Sequence, residues 1–428
     1  MQCATFSRKR FLQFLAVTPV ASACMRGSSP EQERPNELVW TIAGSDFRSL
    51  VQVGDAWNEL HPDHPVRTER LPDSADLQRV QLGLELNAEG GNFDVMSLDT
   101  VWTGEFAENG WIENLDDLRG EAEQKILRGP LSSGIYQDTL WAMPLVSNAG
   151  LLYYRTDLVP RPPKTWDEAV QVGIQAAKRA GISSYAGQGA AYEGLVVNYL
   201  ELLWGAGGDI FGQSPDQVVF NSTGAARTAA EFMRRSQRDG FYAPGFNTMM
   251  EDQAKTAFAA GQTVFMRNWP AFYDLLQRPA NSQIVDRFDI APLPVFADEE
   301  TTTAIGGFNL AVSKFSTKKA VAKEFVRFAS LDEDMQVALG RSSRPPVLAS
   351  AYQKLQNDQV MRLLGQILPN AHTRPPVPFY NDISLAFQQQ IFPAYTGQKP
   401  IPAALDAITT EINGIVNRRR QLLGKKQR

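Results

Sequence analysis

The first hundred residues alternate short apolar runs with longer stretches of helical periodicity. The run "LVWTIAG" (38–44) predicts a buried strand, and apolar residues then recur every three or four positions from Phe47 to Leu60. Two further strands are predicted at "VRTER" (66–70) and "FDVMSLD" (93–99), and the second of these ends in an acid. A β-α-β-α-β order favours a largely parallel sheet with helices packed on its faces.

The segment "GLLYYRTDLVPRPPKTWDEA" (150–169) combines a strand signal with a stiff connection. The apolar run Leu151–Tyr154 predicts a strand. Three prolines at positions 160, 162 and 163 exclude helix and keep the connection extended, because proline lacks an amide donor and fixes its own φ. The chain is therefore expected to leave one strand and enter a new helix here.

That helix carries start and stop signals. Thr165 and Glu168 match a capping box, in which each side chain satisfies an unpaired amide at the helix start. The helix is expected over residues 167–180 and should end at Gly181, since glycine adopts the left-handed conformation that closes many helices.

Two later segments also predict helices. Ser330 and Glu333 match a second capping box, ahead of a helix that runs through Leu339. Apolar residues from Leu405 to Val416 recur at helical spacing and predict an amphipathic helix. The basic tail "NRRRQLLGKKQR" (417–428) is interpreted as a solvated terminus.

Length and composition predict at least two domains with ordinary soluble character. The chain has 428 residues, whereas single cores rarely grow beyond about 250–300 residues. Apolar residues make up 43 % and charged residues 21 % of the chain. The net charge of −5 argues against a general nucleic-acid binder, which would carry a basic face.

The N-terminus predicts export. Residues 8–10 form a positive n-region, residues 11–23 form a short apolar segment, and small residues precede Cys24. Residues 1–24 are therefore interpreted as a signal peptide, and the polar residues 25–36 as a disordered tether. No later apolar run approaches the roughly 18 residues that a spanning helix needs.

The route of export and the role of Cys24 stay open. Small residues directly before a cysteine resemble a bacterial lipoprotein processing site, although Ala21 stands where leucine is usual. Cys24 is then the predicted lipid attachment site, and the alternative is an incidental cysteine beside a plain cleavage site. The segment "SRKRFLQ" (7–13) also resembles a twin-arginine export signal, with Lys9 in place of the second arginine.

Few residues offer metal or thiol chemistry. The two cysteines, Cys3 and Cys24, both lie in the predicted signal peptide, so no disulfide or thiol catalyst is expected in the folded body. His61 and His64 have a spacing that could hold a metal, but a proline-rich solvated turn is the simpler interpretation. No metal and no cofactor are therefore predicted.

An enzyme is the less favoured interpretation. The chain lacks a G-x-S-x-G elbow, an H-E-x-x-H helix and a Walker loop. The segment "GQGAAYEG" (187–194) misses the dinucleotide pattern, because Tyr192 stands where the third glycine should be. Asp99 near Trp102 could imitate half of a glycosidase pair, but no second carboxylate is placed at a matching separation.

Sugar binding accounts for more of the sequence. Sugars present a face of C–H groups, which suits aromatic rings, and an edge of hydroxyls, which acids, amides and arginines can hold in pairs. Residues of both kinds cluster in predicted loops at "SLDTVW" (97–102), "VSNAG" (146–150), "MRNWPAFY" (266–273), "IGGFN" (305–309) and "TRPPVPFY" (373–380). Any one of these clusters alone is more often a core aromatic or a structural turn.

Five motifs in order resemble a known family across nearly the whole chain. The chain resembles the extracellular solute-binding proteins of bacterial ABC sugar importers, especially those for trehalose, maltose, sucrose or glucosylglycerol. The motifs are "FDVMSLDTVWTGEFAENGWIENLDDL" (93–118), "WAMPLVSNAGLLYYRTDLV" (141–159), "PPKTWDEA" (162–169), "FAAGQTVFMRNWP" (258–270) and "IGGFNLAVSKFS" (305–316).

The resemblance implies an α/β fold of the periplasmic-binding-protein type, with two discontinuous lobes and a ligand cleft between them. The first lobe is expected over 37–147 and 301–345, and the second over 148–300 and 346–428. The implied partners are a small sugar and the transmembrane subunits of an ABC permease, with no nucleic acid. A monomer is expected in the periplasm or otherwise outside the cytoplasm, lipid-anchored to a membrane.

The resemblance also implies a set of sugar-binding residues. Asp99 matches an acid that holds hydroxyls, Trp269 a ring that stacks on a pyranose, and Arg374 an arginine that holds hydroxyls from the second lobe. The remaining matches are a Gly-Gly-aromatic turn and three further positions: Gly306, Gly307, Phe308, Tyr192, Arg79 and Asn148.

Three departures bear on which sugar is bound. Asn148 stands where the trehalose and maltose binders have an acid, Val146 where they have a tyrosine, and Phe308 where they have a tryptophan. An amide donates as well as accepts, and a lost tyrosine widens the pocket. Sucrose and small glucosides therefore stay among the expected ligands, and a secreted glycoside hydrolase or a lectin-like protein is the alternative class.

Overall fold

The computed structural model describes residues 36–44, 46–296, 303–368 and 371–426, and only the backbone over 422–426. The predicted signal peptide, Cys24 and nearly all of the predicted tether lie outside the described residues. The described chain forms two separate β-sheets of six and four strands, with helices packed around both. A mixed α/β architecture was predicted from the sequence and is confirmed.

Twelve strands are found in the described chain. They are β1 Leu38–Ile42, β2 Val66–Arg70, β3 Val95–Asp99, β4 Ile135–Tyr136, β5 Thr139–Leu140, β6 Met143–Ala149, β7 Leu151–Arg155, β8 Ser183–Ala186, β9 Thr263–Asn268, β10 Phe288–Ala291, β11 Ala304–Val312 and β12 His372–Thr373.

Sixteen α-helices accompany them in the same residues. They are α1 Phe47–Leu60, α2 Ala75–Asn87, α3 Thr103–Glu108, α4 Asp116–Lys125, α5 Arg128–Ser133, α6 Trp166–Ala180, α7 Glu193–Gly205, α8 Ala225–Arg238, α9 Glu251–Ala259, α10 Tyr273–Leu276, α11 Lys319–Leu331, α12 Glu333–Arg341, α13 Ala349–Lys354, α14 Gln359–Ile367, α15 Tyr380–Tyr395 and α16 Ile401–Lys426.

The first sheet has the order β12-β11-β3-β1-β2, and β6 also pairs with β11. Strands β2, β1 and β3 are parallel, which confirms the interpretation of the N-terminal β-α-β-α-β pattern. Strand β11 runs antiparallel to β3 and to β6. The parallel part is buried on both faces: every residue of β1 is buried, and Leu38 and Val39 belong to different apolar clusters.

The second sheet has the order β10-β7-β9-β8. Strand β7 is antiparallel to both of its neighbours, whereas β8 and β9 are parallel. All four of its strands lie between β6 and β11 in the chain, so the first sheet is assembled from segments on both sides of the second. This interruption is the discontinuous two-lobed arrangement expected from the sequence.

The chain passes between the sheets at short segments. Gly150 alone separates β6 of the first sheet from β7 of the second, and Thr303 precedes the return into β11. After β12, the chain leaves the first sheet again and enters α15, which packs against α7, α8 and α16. The residue-level division into lobes stays a prediction. No helix within the described ranges has the length and apolar character to cross a membrane.

Of the two N-terminal caps predicted from the sequence, the one at Thr165 is found and the one at Ser330 is not. Helix α6 spans Trp166–Ala180; the Thr165 hydroxyl accepts from the Glu168 amide at 3.2 Å, and Gly181 ends the helix at φ 68°. Ser330 is not a cap, because it lies inside α11. The Asp332 carboxylate instead accepts from the Met335 amide at 2.8 Å and begins α12.

The basic tail is not simply a solvated end. Helix α16 continues to Lys426, so the expected amphipathic helix includes most of the charge run. Arg419 forms an ion pair with Glu108, and Arg420 pairs with Asp216 at 3.1 Å. These contacts attach the start of the tail to the folded body.

Candidate ligand-binding site

A cavity lies between the two sheets, where the ends of β3, β6 and β9 and the start of β11 face the start of α7. Its free volume is about 760 Å³, including the part open to solvent. All but one of the residues predicted to bind sugar line it: Asp99, Asn148, Tyr192, Trp269, Gly306, Gly307, Phe308 and Arg374.

Arg374 joins two sides of this cavity. Its guanidinium donates to the Asp99 carboxylate at 2.6 Å and to the Glu193 carboxylate at 2.7 Å. Asp99 is the last residue of β3, and Glu193 is the first residue of α7. Because Arg374 is only 3 % exposed, its positive charge is compensated by these two carboxylates rather than by water.

Glu193 organises the second-lobe side of that network. Its carboxylate accepts from Arg374, from the Tyr380 hydroxyl at 2.7 Å and from the Ser384 hydroxyl. Burial raises the pKa of Glu193, although Arg374 and Ser384 oppose the rise. A carboxylate with this many donors is a fixed acceptor, which can orient Arg374 towards a ligand.

The Gly-Gly-Phe turn places backbone where a side chain would not fit. Gly307 has φ +127°, and a Cβ there would lie 2.1 Å from the Val146 carbonyl oxygen. A Cβ on Gly306 would lie 3.0 Å from the Trp269 ring. Glycine is therefore required at 307 by conformation and favoured at 306 by the approach of the ring. Phe308 follows, opposite Asp99 on β3.

Trp269 is held from several directions. It follows the last residue of β9, its amide donates to the Asn268 side chain at 3.0 Å, and its carbonyl accepts from the Tyr153 hydroxyl at 2.7 Å. The Arg267 guanidinium lies over the indole ring, 4.1 Å from its centroid. A ring fixed in this way can offer an apolar face to a ligand at little cost in entropy.

Tyr192 and Glu251 form a hydrogen-bonded pair at the cavity wall. The Tyr192 hydroxyl donates to the Glu251 carboxylate at 2.6 Å. Burial raises the pKa of Glu251, whereas hydrogen bonds from Tyr192 and from Trp269 lower it. Glu251 therefore contacts two of the aromatic residues that the sequence predicted to bind sugar.

Three polar atoms on residues that line the cavity have no hydrogen-bond partner among the described residues. They are Oδ1 of Asn148, Nε of Arg374 and Nε of Arg344, and all three are buried. Asn148 lies on β6 opposite Gly306, and its side chain is 6 % exposed. Unpaired buried polar groups are costly in a folded protein, so these atoms are candidates for hydrogen bonds to a bound molecule.

The structure does not bring Arg79 to this cavity. Its guanidinium donates to the Glu105 carboxylate through Nε, at 2.8 Å, and through Nη2. Arg79 instead lines a separate surface pocket with Glu108 and Arg419. Arg79 is therefore the one predicted sugar-binding residue that does not line the cavity.

Other cavity residues were missed by the sequence reasoning. Five of these eleven residues are charged: Asp46, Asp73, Glu193, Glu251 and Arg344. Arg344 is ion-paired with Asp46, although 298 positions separate them. Glu193 was the most accessible to prediction, because it directly follows Tyr192 and begins a helix.

The arrangement suits reversible binding of a polyhydroxy molecule. An indole ring supplies an apolar surface, while Asp99, Asn148 and Arg374 supply hydroxyl-binding groups. Asp99 and Glu193 share one guanidinium, so both carboxylates are already paired. Within the described ranges no group of three or more His, Cys, Asp or Glu side chains could hold a metal ion. His61 instead stacks on Trp57, with ring centroids 3.7 Å apart.

Comparison with known proteins identifies the class. The family of bacterial extracellular solute-binding proteins matches residues 43–336. A probable ABC transporter-binding protein of Deinococcus radiodurans is 26 % identical, over 88 % of this chain and 92 % of that protein. A mannitol-binding protein of Pseudomonas aeruginosa is 22 % identical, over 84 % and 86 % respectively. The structure of maltose-bound T. maritima MalE3 superposes with a TM-score of 0.83 at 30 % identity, covering 89 % of this chain and 99 % of that one.

This chain belongs to the bacterial extracellular solute-binding protein family. Its fold is the two-lobed periplasmic-binding-protein fold, as predicted. Proteins of this family bind small molecules outside the cytoplasm and deliver them to ABC permeases, and they are not enzymes. The predicted family, location and transport partner are confirmed at this level.

Proposed function

We propose that this chain captures a disaccharide or a small glucoside outside the cytoplasmic membrane and delivers it to the permease of an ABC importer. The observation that carries the proposal is the pairing of a fixed indole ring, Trp269, with unpaired buried polar atoms on Asn148 and Arg374. A pyranose offers both a C–H face for the ring and hydroxyls for those atoms. The likeness to a maltose-bound protein supports this class of ligand.

Each group at the cavity has a distinct part in recognition. Trp269 stacks on the sugar ring, and the Asp99 carboxylate and the Asn148 amide bind adjacent hydroxyls from the first sheet. Arg374 binds hydroxyls from the other side through Nε. Val146, which stands where trehalose and maltose binders have a tyrosine, is buried in an apolar cluster and does not line the cavity.

Ligand binding closes the two lobes. Only the closed form lets one molecule touch Asp99 and Asn148 on one side and Trp269 on the other, so the ligand stabilises that form. The closed shape then docks on the permease. The proposal expects a Kd near micromolar, which corresponds to about −8 kcal/mol.

Calorimetric titration of the protein tests the ligand class. The panel contains trehalose, maltose, sucrose, glucosylglycerol, monosaccharides and mannitol, the last because one relative is named for it. The proposal predicts micromolar binding of at least one disaccharide or glucoside and weaker binding of mannitol. Preference for mannitol would replace the proposal with a polyol importer. Binding of no saccharide or polyol would overturn it.

A second assay separates a binding protein from a glycoside hydrolase. Incubation with a radiolabelled disaccharide should return the disaccharide unchanged, whereas a hydrolase releases labelled monosaccharide. Mass spectrometry of the N-terminus tests the associated proposals that Cys24 carries lipid and that the tether follows it. Sedimentation tests the proposed monomer.

A further inference from the structure

A buried ion pair lies behind the cavity, outside the set of lining residues. Arg267 of β9 and Glu201 of α7 form a two-point contact, with nitrogen–oxygen distances of 2.9 and 2.6 Å. Both side chains are almost completely enclosed, at 1 % and 3 % exposure. Buried ion pairs of this kind contribute little net stability compared with apolar packing, so their presence calls for another explanation.

Glu201 is also bound by the segments that connect the two sheets. Its Oε1 accepts from the Ala304 amide at 3.1 Å and from the Thr303 hydroxyl at 3.2 Å. The same Thr303 hydroxyl lies 3.0 Å from the Gly150 carbonyl oxygen. Gly150 and Thr303 are the residues at which the chain passes between the sheets. The single proton of the Thr303 hydroxyl can be donated to only one of these two acceptors, and in either case the Ala304 amide binds Glu201 to the second crossing.

Gly150 lies so close to this ion pair that a side chain would not fit there. A Cβ at Gly150 would lie 2.4 Å from Oε1 of Glu201 and 2.5 Å from Nη2 of Arg267. The first crossing can therefore approach the ion pair only because position 150 has no side chain.

Arg267 connects the same pair to the cavity. Its guanidinium lies 4.1 Å from the centroid of the Trp269 ring, and Nη1 donates to the Gln188 side chain at 3.1 Å. A planar guanidinium can bind a carboxylate with two parallel donors while it lies flat on an indole, whereas an ammonium approaches the ring only as a point charge. Arg267 thus contacts the ring on one side and, through Glu201, both crossings on the other.

We propose that Glu201 and Arg267 are positioning residues for ligand binding, which fix the Trp269 ring at the angle set by the two crossings between the lobes. Neither residue touches the ligand. The inference rests on the proposed function, because it assigns Trp269 to the ligand. It adds that the stacking surface is aligned by the two crossings between the sheets.

The test compares Arg267→Met and Arg267→Lys with a matched control, Arg155→Met. Arg155 is another buried arginine of the second sheet with a two-point contact, to Asp157 at 2.7 and 2.6 Å, and it lies away from the ring and the crossings. Affinity for the best saccharide, the melting temperature and the ¹⁹F spectrum of 5-fluorotryptophan-labelled protein are measured for each. The chain has eight tryptophans, and Trp269→Phe identifies the resonance of Trp269.

The proposal predicts a separation between stability and binding. Arg267→Lys keeps the charge and should recover most of the melting temperature lost in Arg267→Met. Its affinity should still be weaker by roughly tenfold, equivalent to about 1.4 kcal/mol, because lysine cannot stack. The Trp269 resonance should shift in both Arg267 variants. Arg155→Met should leave that resonance and the affinity unchanged.

Other results overturn the inference. If Arg267→Lys restores affinity together with stability, the pair has a structural role only. If the Trp269 resonance does not shift in either Arg267 variant, the proposal is wrong. If Arg267→Met does not fold, the spectrum and affinity of Arg267→Lys alone test the proposal. If Trp269→Ala itself binds saccharide as the parent does, the proposed ligand site is wrong. If Trp269→Ala weakens binding and Arg267→Lys does not, only the positioning role is wrong.

Discussion

The two sides of the cavity are built by different kinds of contact. The first-sheet wall consists of Asp99, Asn148, Gly306, Gly307 and Phe308. Its geometry follows from strand register, which sets Phe308 opposite Asp99 and Gly306 opposite Asn148. The second-lobe wall consists of Tyr192, Glu193, Glu251 and Trp269. Its geometry follows from side-chain contacts between distant residues, such as Tyr192 with Glu251.

This difference predicts how each wall responds to substitution. The strands that carry the first-sheet wall also form the core of that sheet. A substitution in this wall should therefore lower the free energy of unfolding. Side-chain contacts can be altered while the backbone is retained, so a change in the second-lobe wall should disturb ligand affinity first.

Trp269→Ala should have the largest effect, on affinity. Removal of the central ring should cost about 2–4 kcal/mol, or roughly 30- to 1,000-fold in Kd, because a fixed aromatic ring is often an energetic centre of a site. Calorimetric titration measures it. The control is Trp111→Ala, since Trp111 packs on Phe106 and does not line the cavity. Equal affinity in parent and Trp269→Ala would contradict the site.

Gly307→Ala should act mainly on stability. The strained φ alone costs about 1–3 kcal/mol, and the new Cβ would also meet the Val146 carbonyl oxygen. Gly110→Ala is a matched control, because Gly110 has φ +70° and no atom within 4 Å of the added Cβ. Urea unfolding should show a larger loss for Gly307→Ala. Equal losses would mean that the close approach at Val146 is not structurally important.

Glu251→Gln should change the pH dependence of stability by a smaller amount. Burial raises the pKa of Glu251 above its usual 4.5, so the folded state holds the proton more tightly than the unfolded chain. Its contribution to stability is therefore complete below about pH 4.5 and is lost as pH rises through the raised pKa. The unfolding free energy of the parent minus that of the variant should fall as pH rises from 4.5 towards neutrality.

The control for that measurement is Glu333→Gln. A hydrogen bond from Lys354 holds the pKa of Glu333 below its usual value, so its contribution is present at neutral pH and is lost on acidification. The unfolding free energy of the parent minus that of Glu333→Gln should therefore rise with pH. If the two stability differences change with pH in the same direction, the opposite pKa shifts assigned to Glu251 and Glu333 are wrong.

Arg79→Gln should have the smallest effect. Its ion pair with Glu105 is partly exposed and should contribute no more than about 1 kcal/mol to stability. Affinity for the ligand should be unchanged, because Arg79 lies outside the cavity. A tenfold loss of affinity would restore the role that sequence resemblance assigned to this residue.

The same contrast explains what the sequence could reveal. Strands β1 to β3, the capped helix α6 and the Gly-Gly-Phe turn follow from local patterns, and they place most of the first-sheet wall. The partners of Arg374 and Arg267 depend on residues that lie far away in the chain. Glu193 is 181 positions from Arg374, and no local periodicity links them. Arg79 was misplaced for the same reason, because Glu105 is not adjacent in sequence.

Local signals also failed where two polar residues competed for one role. Ser330 and Asp332 both precede the same helix, and the capping-box pattern favoured Ser330 through Glu333. The structure extends α11 to Leu331, so Ser330 is buried inside a helix and Asp332 provides the cap. Tertiary packing of α11 decided the choice, and the pattern alone could not.

A crystal structure with the tightest-binding saccharide of the panel tests the central claim most directly. The account predicts one sugar ring stacked on Trp269, hydroxyls within hydrogen-bond distance of Asp99, Oδ1 of Asn148 and Nε of Arg374, and both sheets in contact with a single molecule. A saccharide bound elsewhere on the protein, with no contact to Trp269, Asp99, Asn148 or Arg374, would contradict the account.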